Sequence, residues 1–169
     1  MSIITTDRRD RFARSWKLVG IPSKSKWKGS LLNNRILSRA MSRLVDRFQS
    51  QTLPVLEDTC YEMGKEDCRQ LQDTLNVKDM SAASCLKPME MICLLNGIDS
   101  EIIIKNKNNA SMKINACPFS EVLVGVVPNM VICKNYVRGT IQSINKNATL
   151  SQPEMECKEG GVCEFLVNI

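Results

Sequence analysis

The spacing of apolar residues changes from helical to strand-like near residue 100. Between residues 30 and 95, apolar side chains recur every three or four positions, which predicts amphipathic helices. We expect these helices at Ser30–Phe48, Pro54–Leu75 and Ser81–Leu95. The last of them is expected to kink or restart at Pro88 and to end at a Gly97 cap.

Beyond residue 100 the pattern indicates paired strands. Glu101–Lys105 and Ala110–Ala116 flank a polar turn and predict a β-hairpin. A helix is expected over Ile132–Ile144, and Asn147–Cys157 with Val162–Ile169 predict a second hairpin. The chain is therefore expected to be α+β, with N-terminal helices packed on a C-terminal antiparallel sheet in a single domain.

Length and hydropathy limit the class of protein. A chain of 169 residues that is 43% hydrophobic has the size of one domain able to bury its own core. No stretch approaches the roughly 20 apolar residues of a membrane span, and the first ten residues lack the apolar block of a secretory signal. We therefore expect no transmembrane segment and a cytoplasmic location.

Positive charge is concentrated near the N-terminus. Residues 1–50 contain 12 Lys or Arg against 3 Asp or Glu, whereas residues 51–169 contain 11 against 15. We expect residues 1–29 to form a basic arm with a short helix near 7–17, and residues 30–169 to form the folded domain. Such a segment could bind nucleic acid or an acidic partner, although a solvated helix face explains the same charges.

The absence of histidine removes many mechanisms. Without it, the chain lacks Ser-His and Cys-His dyads and every metal site that contains histidine. Eight cysteines without an export signal are expected to be thiols or metal thiolates. Four of them lie in predicted helices as pairs eight residues apart and are expected to fill the core: Cys60, Cys68, Cys85 and Cys93.

The other four cysteines predict a metal site. Cys157 and Cys163 flank a glycine turn, which resembles half of a zinc knuckle. Cys133 and Glu154 could complete a shell of three thiolates and a carboxylate. Cys117 is an equally plausible fourth thiolate, which would also admit an iron-sulfur cluster.

Three segments carry a resemblance to a known family: Cys117-Pro-Phe-Ser-Glu121, Ile132-Cys-Lys-Asn-Tyr-Val-Arg-Gly139 and Glu154-Met-Glu-Cys-Lys-Glu-Gly-Gly-Val-Cys-Glu-Phe165. They resemble the 4-vinyl reductase domain superfamily, small α+β domains that include sensors of aromatic-responsive transcription activators, hydrocarbon-binding proteins and, more remotely, trafficking-complex subunits. The resemblance implies that residues 30–169 form a ligand-binding domain of this type. It further implies a sensor of a small apolar or aromatic molecule and a homodimer.

The resemblance also implies a role for individual residues. Cys133, Glu154, Cys157 and Cys163 match the positions through which the sensory members bind zinc, so zinc would tie the terminal hairpin to a helix beside the ligand. Cys117 is the reserve ligand for this site.

A second family fits part of the same pattern. The segment that begins at Cys117 is similar to the L-2-amino-thiazoline-4-carboxylic acid hydrolase-like family, in which Cys117 could act as nucleophile and Glu121 as general base on a C–N bond. Without histidine, that thiolate would need a nearby lysine or a helix N-terminus. The sequence therefore favours a binding domain over an enzyme, and an iron-sulfur redox or sensor protein stays a further alternative.

Overall fold

The structure of the chain is a computed structural model, and it describes residues 31–48, 51–75, 77, 79–117, 129–154 and 162–169. The chain divides into two compact units, Met1–Ala40 and Met41–Ile169. The helix expected near residues 7–17 and the helix or loop expected at Val122–Val127 lie outside the described residues.

The described part contains four helices and four strands. The helices are α1 (Leu31–Phe48), α2 (Thr52–Leu75), α3 (Ala82–Leu95) and α4 (Asn129–Ile144). The strands are β1 (Ser100–Asn106), β2 (Asn109–Ile114), β3 (Thr149–Glu154) and β4 (Cys163–Asn168). The α+β class, the three helices before the first hairpin and both hairpins are thereby confirmed. Helix α4 begins three residues earlier than the pattern predicts.

Local signals define both ends of α3. Ser81 is the N-cap residue, and its hydroxyl accepts a hydrogen bond from the backbone N–H of Ser84. At the other end Gly97 has a φ of 71°, and the N–H groups of Gly97 and Ile98 bond to the carbonyls of Leu94 and Cys93. This is the hydrogen-bond pattern of a Schellman motif, for which glycine is favoured. The helix continues through Pro88.

The two hairpins join into one antiparallel sheet in the order β1-β2-β4-β3. The central strands pair residue by residue, with Ala110 opposite Val167, Met112 opposite Phe165 and Ile114 opposite Cys163. All six of these side chains are buried. Because alternate residues of a strand share one face, this row is the core-facing side of the sheet.

Helices cover the core-facing side. Helix α3 contacts β1, β2 and β4, α4 contacts β3, and α2 packs chiefly on α4. Cys60, Cys68, Cys85 and Cys93 are buried in this core, which confirms their predicted packing role. No helix among the described residues is long and apolar enough to cross a membrane.

Candidate functional site

Cys133, the first predicted metal ligand, lies on α4 against the edge strand β3. Its side chain is only 4% exposed. The sulfur is 3.9 Å from Oε1 and 4.0 Å from Nε2 of Gln152, the residue two positions before Glu154. The thiol of Cys133 therefore reaches the strand that ends at the predicted carboxylate ligand.

The β3–β4 pair brings two more of the predicted ligands to the same end of the sheet. Cys163 is the first residue of β4 and is 3% exposed. Glu154 is the last residue of β3, and in the strand register it pairs with Glu164, the neighbour of Cys163. The side chain of Glu154 and the whole of Cys157 lie outside the described residues.

The described side chains alone do not form a metal centre. Across them, no three His, Cys, Asp or Glu residues are grouped so that they could hold a metal ion. Cys117, the reserve ligand and alternative nucleophile, is partly buried just after β2, and Glu121 lies outside the described ranges. The four-residue zinc shell and the cysteine nucleophile both stay predictions.

A close crossing of α2 and α4 forms one wall of the core. A Cβ atom built on Gly64 would lie 2.1 Å from the carbonyl oxygen of Tyr136, and one on Gly139 would lie 2.1 Å from the carbonyl oxygen of Tyr61. Real Cβ atoms do not approach this closely, so the two backbones touch where only glycine fits.

Partly buried polar side chains also link α2 and α4 at this crossing. The hydroxyl of Tyr61 donates to Oε1 of Gln142 at 3.0 Å, which links α2 to α4. The guanidinium of Arg138 lies 5.0 Å from the centre of the Tyr61 ring, within the range of a cation–π contact. The ammonium of Lys65 lies 5.3 Å from the same ring and pairs with Glu62 at 3.0 Å.

Tyr136 carries the second polar link across the crossing. Its buried hydroxyl donates a hydrogen bond to Oδ2 of Asp67 on α2. Burial, followed by the hydrogen bond and the charge of Asp67, raises the pKa of the Tyr136 phenol far above its ordinary value. The phenol therefore stays protonated at neutral and mildly alkaline pH and donates its hydrogen bond to Asp67.

The interior beside Tyr136 is rich in sulfur. Met89, Met112 and Cys93 are fully buried. Burial raises the pKa of the Cys68 thiol, and burial together with nearby Cys68 raises the pKa of Cys85 to about 11. Thiols that hold their protons at neutral pH act as small apolar side chains rather than nucleophiles.

Sequence reasoning did not predict the glycine crossing or the Tyr136–Asp67 link. The two partners of that link are 69 residues apart, and nothing in the local pattern of either helix identifies its partner. The two glycines, in contrast, could have been recognised from the sequence. A glycine inside a helix costs about 1 kcal/mol relative to alanine, so Gly64 and Gly139 each indicate a close approach of another element.

Comparison with known proteins identifies solved structures with a similar fold. No family model matches the chain, and no curated protein matches its sequence. The crystal structure of the phenol-responsive sensory domain of the transcription activator PoxR, with phenol, matches with a TM-score of 0.56 and 11% identity. That match covers 80% of this chain and 73% of the sensory domain chain.

A trafficking-complex protein has a similar fold. Trafficking protein particle complex subunit 3 from Naegleria fowleri, covalently bound to palmitic acid, matches with a TM-score of 0.51 and 14% identity. The match covers 81% of this chain and 95% of that subunit. At these identities the likeness is one of fold, and it confirms the predicted fold-level relation to an aromatic-responsive sensor domain and a trafficking-complex subunit.

Proposed function

We propose that this chain binds a small apolar or aromatic molecule and acts as a sensor domain for it. The observation that carries the proposal is the shared fold with a domain that responds to phenol. The second neighbour holds palmitic acid, so two proteins with this fold are recorded with a largely apolar molecule.

The composition of the core supports the same proposal. Met89 and Met112 lie fully buried on facing elements, α3 and β2. Methionine is unbranched and flexible, so a core that contains it can rearrange around an apolar guest at low cost. We place the ligand between α3, α4 and the core-facing side of the sheet.

Methionine methyl groups provide a direct test of this location. With [methyl-13C]methionine, each of the nine methionines gives one NMR signal, which Met→Leu variants assign. On titration with phenol or with palmitic acid, the signals of Met89 and Met112 should move because the ligand lies against them. Those of Met63 and Met80, which are 52% and 67% exposed, should stay in place and serve as internal controls.

The same spectra contain the outcomes that would overturn the proposal. Shifts confined to Met63 and Met80 would indicate adsorption on the surface. An absence of shifts with both probes would reject binding of either chemical class in the core. Movement with only one probe would identify whether the ligand is aromatic or a long acyl chain.

We also propose that zinc holds the terminal hairpin through Cys133, Glu154, Cys157 and Cys163. The proposal is supported by the placement of Cys133 against β3 and by the pairing of Glu154 with the neighbour of Cys163. Thiolates and a carboxylate are a donor set that suits zinc. When bound, the metal would act as a structural clamp between α4 and the β3–β4 hairpin.

Elemental analysis of paired cysteine variants tests the clamp. Cys133→Ala should lose the metal, whereas Cys60→Ala, which changes a buried core cysteine of α2, should retain one zinc per chain. Equal metal content in the two variants would refute the ligand assignment. Iron with sulfide in protein purified without oxygen would replace zinc by the iron-sulfur alternative.

A further inference from the structure

The outer edge of β1 exposes apolar side chains. β1 and β3 are the two edge strands of the described sheet, and β1 carries three consecutive isoleucines at its centre. Ile103 is 37% exposed and Ile104 is 64% exposed. Neighbouring residues of a strand point to opposite faces, so the edge offers apolar surface on both of them.

The two edges of the sheet differ in how they are protected. β3 contains Pro153, which cannot donate a ladder hydrogen bond, and its register with β4 shifts between Ser151 and Glu154. β1 has no proline, and its register with β2 is regular from Ser100 to Ile104 and shifts only between Ile104 and Asn106, beside the hairpin turn. An edge of β-branched residues with no described strand beyond it is a template for another strand.

The charge pattern of β1 identifies the strand that fits. The sequence Glu101-Ile-Ile-Ile-Lys105 has opposite charges at equal distances from Ile103. Neither Glu101 nor Lys105 has an ion-pair partner among the described residues, and both are exposed. When two such strands run antiparallel about Ile103, Glu101 of each copy faces Lys105 of the other.

We propose that β1 is a homodimer interface, in which the β1 strands of two copies pair antiparallel about Ile103 and extend the sheet across the two-fold axis. Ile102 of each copy then faces Ile104 of the other, and two Glu101–Lys105 pairs flank the isoleucines. Cross-strand apolar and opposite-charge pairs both stabilise such a ladder. A single strand pair is a small interface, so the dimer should dissociate on dilution. This interface is independent of the proposed ligand and metal.

Charge reversal gives a test that depends on the register. In Glu101→Lys, the introduced ammonium of each copy faces Lys105 of the other, so the repulsion occurs twice, and Lys105→Glu creates the same repulsion between carboxylates. We expect each change to raise the dimer Kd at least about tenfold, measured by sedimentation over a concentration series. The double variant Glu101→Lys/Lys105→Glu should restore the dimer, and a mixture of the two single variants should form a heterodimer.

Matched controls and opposing outcomes complete the test. Glu66→Lys makes the same charge change on the exposed side of α2 and should leave the Kd unchanged. Circular dichroism verifies that each variant is folded. A native chain that stays monomeric at every concentration would overturn the proposal, as would a dimer that both single variants leave intact or a double variant that fails to recover.

Discussion

At the scale of single residues, Gly64 and Gly139 determine how closely α2 and α4 approach. Each glycine faces a carbonyl oxygen of the other helix, at Tyr136 and Tyr61 respectively. Because both contacts are with backbone, no side chain can rotate away to make room for a methyl group. The same approach positions Tyr136 for its hydrogen bond to Asp67.

Gly64→Ala should therefore destabilise the protein even though alanine favours helix. Overpacking costs about 1 to 3 kcal/mol and occasionally more. Because the added methyl group would meet a backbone oxygen at 2.1 Å, we expect a cost above the gain of about 1 kcal/mol in helix propensity. Urea unfolding measures the difference. Gln70→Ala, at an exposed position of the same helix, is the matched control and should change the free energy of unfolding by less than about 0.5 kcal/mol.

The Gly97→Ala substitution tests the cost of a left-handed backbone conformation without the steric clash expected at Gly64. Apart from its two chain neighbours, no described residue has an atom within 4 Å of a Cβ built on Gly97, so the cost expected is that of the left-handed φ of 71°. That cost is about 1 to 2 kcal/mol.

For the Gly64 prediction, a Gly64→Ala variant as stable as the native chain would contradict the close crossing of α2 and α4.

At the scale of elements, α3 shows how far local sequence determines structure. Ser81 and Gly97 were predicted to begin and end this helix, and the structure places them at its caps. The pairing of Met112 with Phe165 was not predictable, because alternation identifies which side of a strand is apolar but not which strand lies beside it. Likewise Cys133 and Cys163 were predicted as ligands from residue type and spacing, whereas the approach of Cys133 to Gln152 of β3 depends on tertiary packing.

The start of α3 also gives a pH prediction. Oδ1 of Asp79 accepts from the Ser81 N–H at 2.9 Å and the Ser84 hydroxyl at 2.7 Å. Hydrogen bonds from the Ser81 side chain first, then from Ser84, lower the pKa of Asp79 from 3.8 to about 2. A depressed folded-state pKa contributes stability above about pH 4 that is lost as the pH falls through about 2.

Two variants check this account by urea unfolding. Asp79→Ala should be less stable than the native chain at pH 7, and the difference should shrink towards pH 2. Ser81→Ala, which removes the N-cap hydroxyl, should lose about 1 kcal/mol at pH 7. A deficit in Asp79→Ala that is unchanged between pH 7 and pH 2 would show that its carboxylate charge is not involved.

At the scale of the whole molecule, stability at alkaline pH depends on a few buried core groups that are protonated in the folded state. The Tyr136 phenol and the thiols of Cys60, Cys68 and Cys85 all have a pKa raised by burial. In the unfolded chain these groups lose their protons at their ordinary pKa, from 9.0 for the thiols. Above that pH the unfolded state binds fewer protons than the folded state, so the free energy of unfolding must fall as pH rises.

We therefore expect stability that is level near pH 8 and declines from about pH 9. The Cys85 thiol alone, with a pKa of about 11 in the folded chain, accounts for a loss on the order of 2 kcal/mol between pH 9 and pH 11. Urea unfolding under reducing conditions at pH 8, 9, 10 and 11 measures the slope. Cys85→Ala should be less steep from pH 9, and Tyr136→Phe should be less steep only above pH 10, where the free phenol ionises. If Cys85→Ala declines as steeply as the native chain, the Cys85 thiol does not contribute to the alkaline loss of stability.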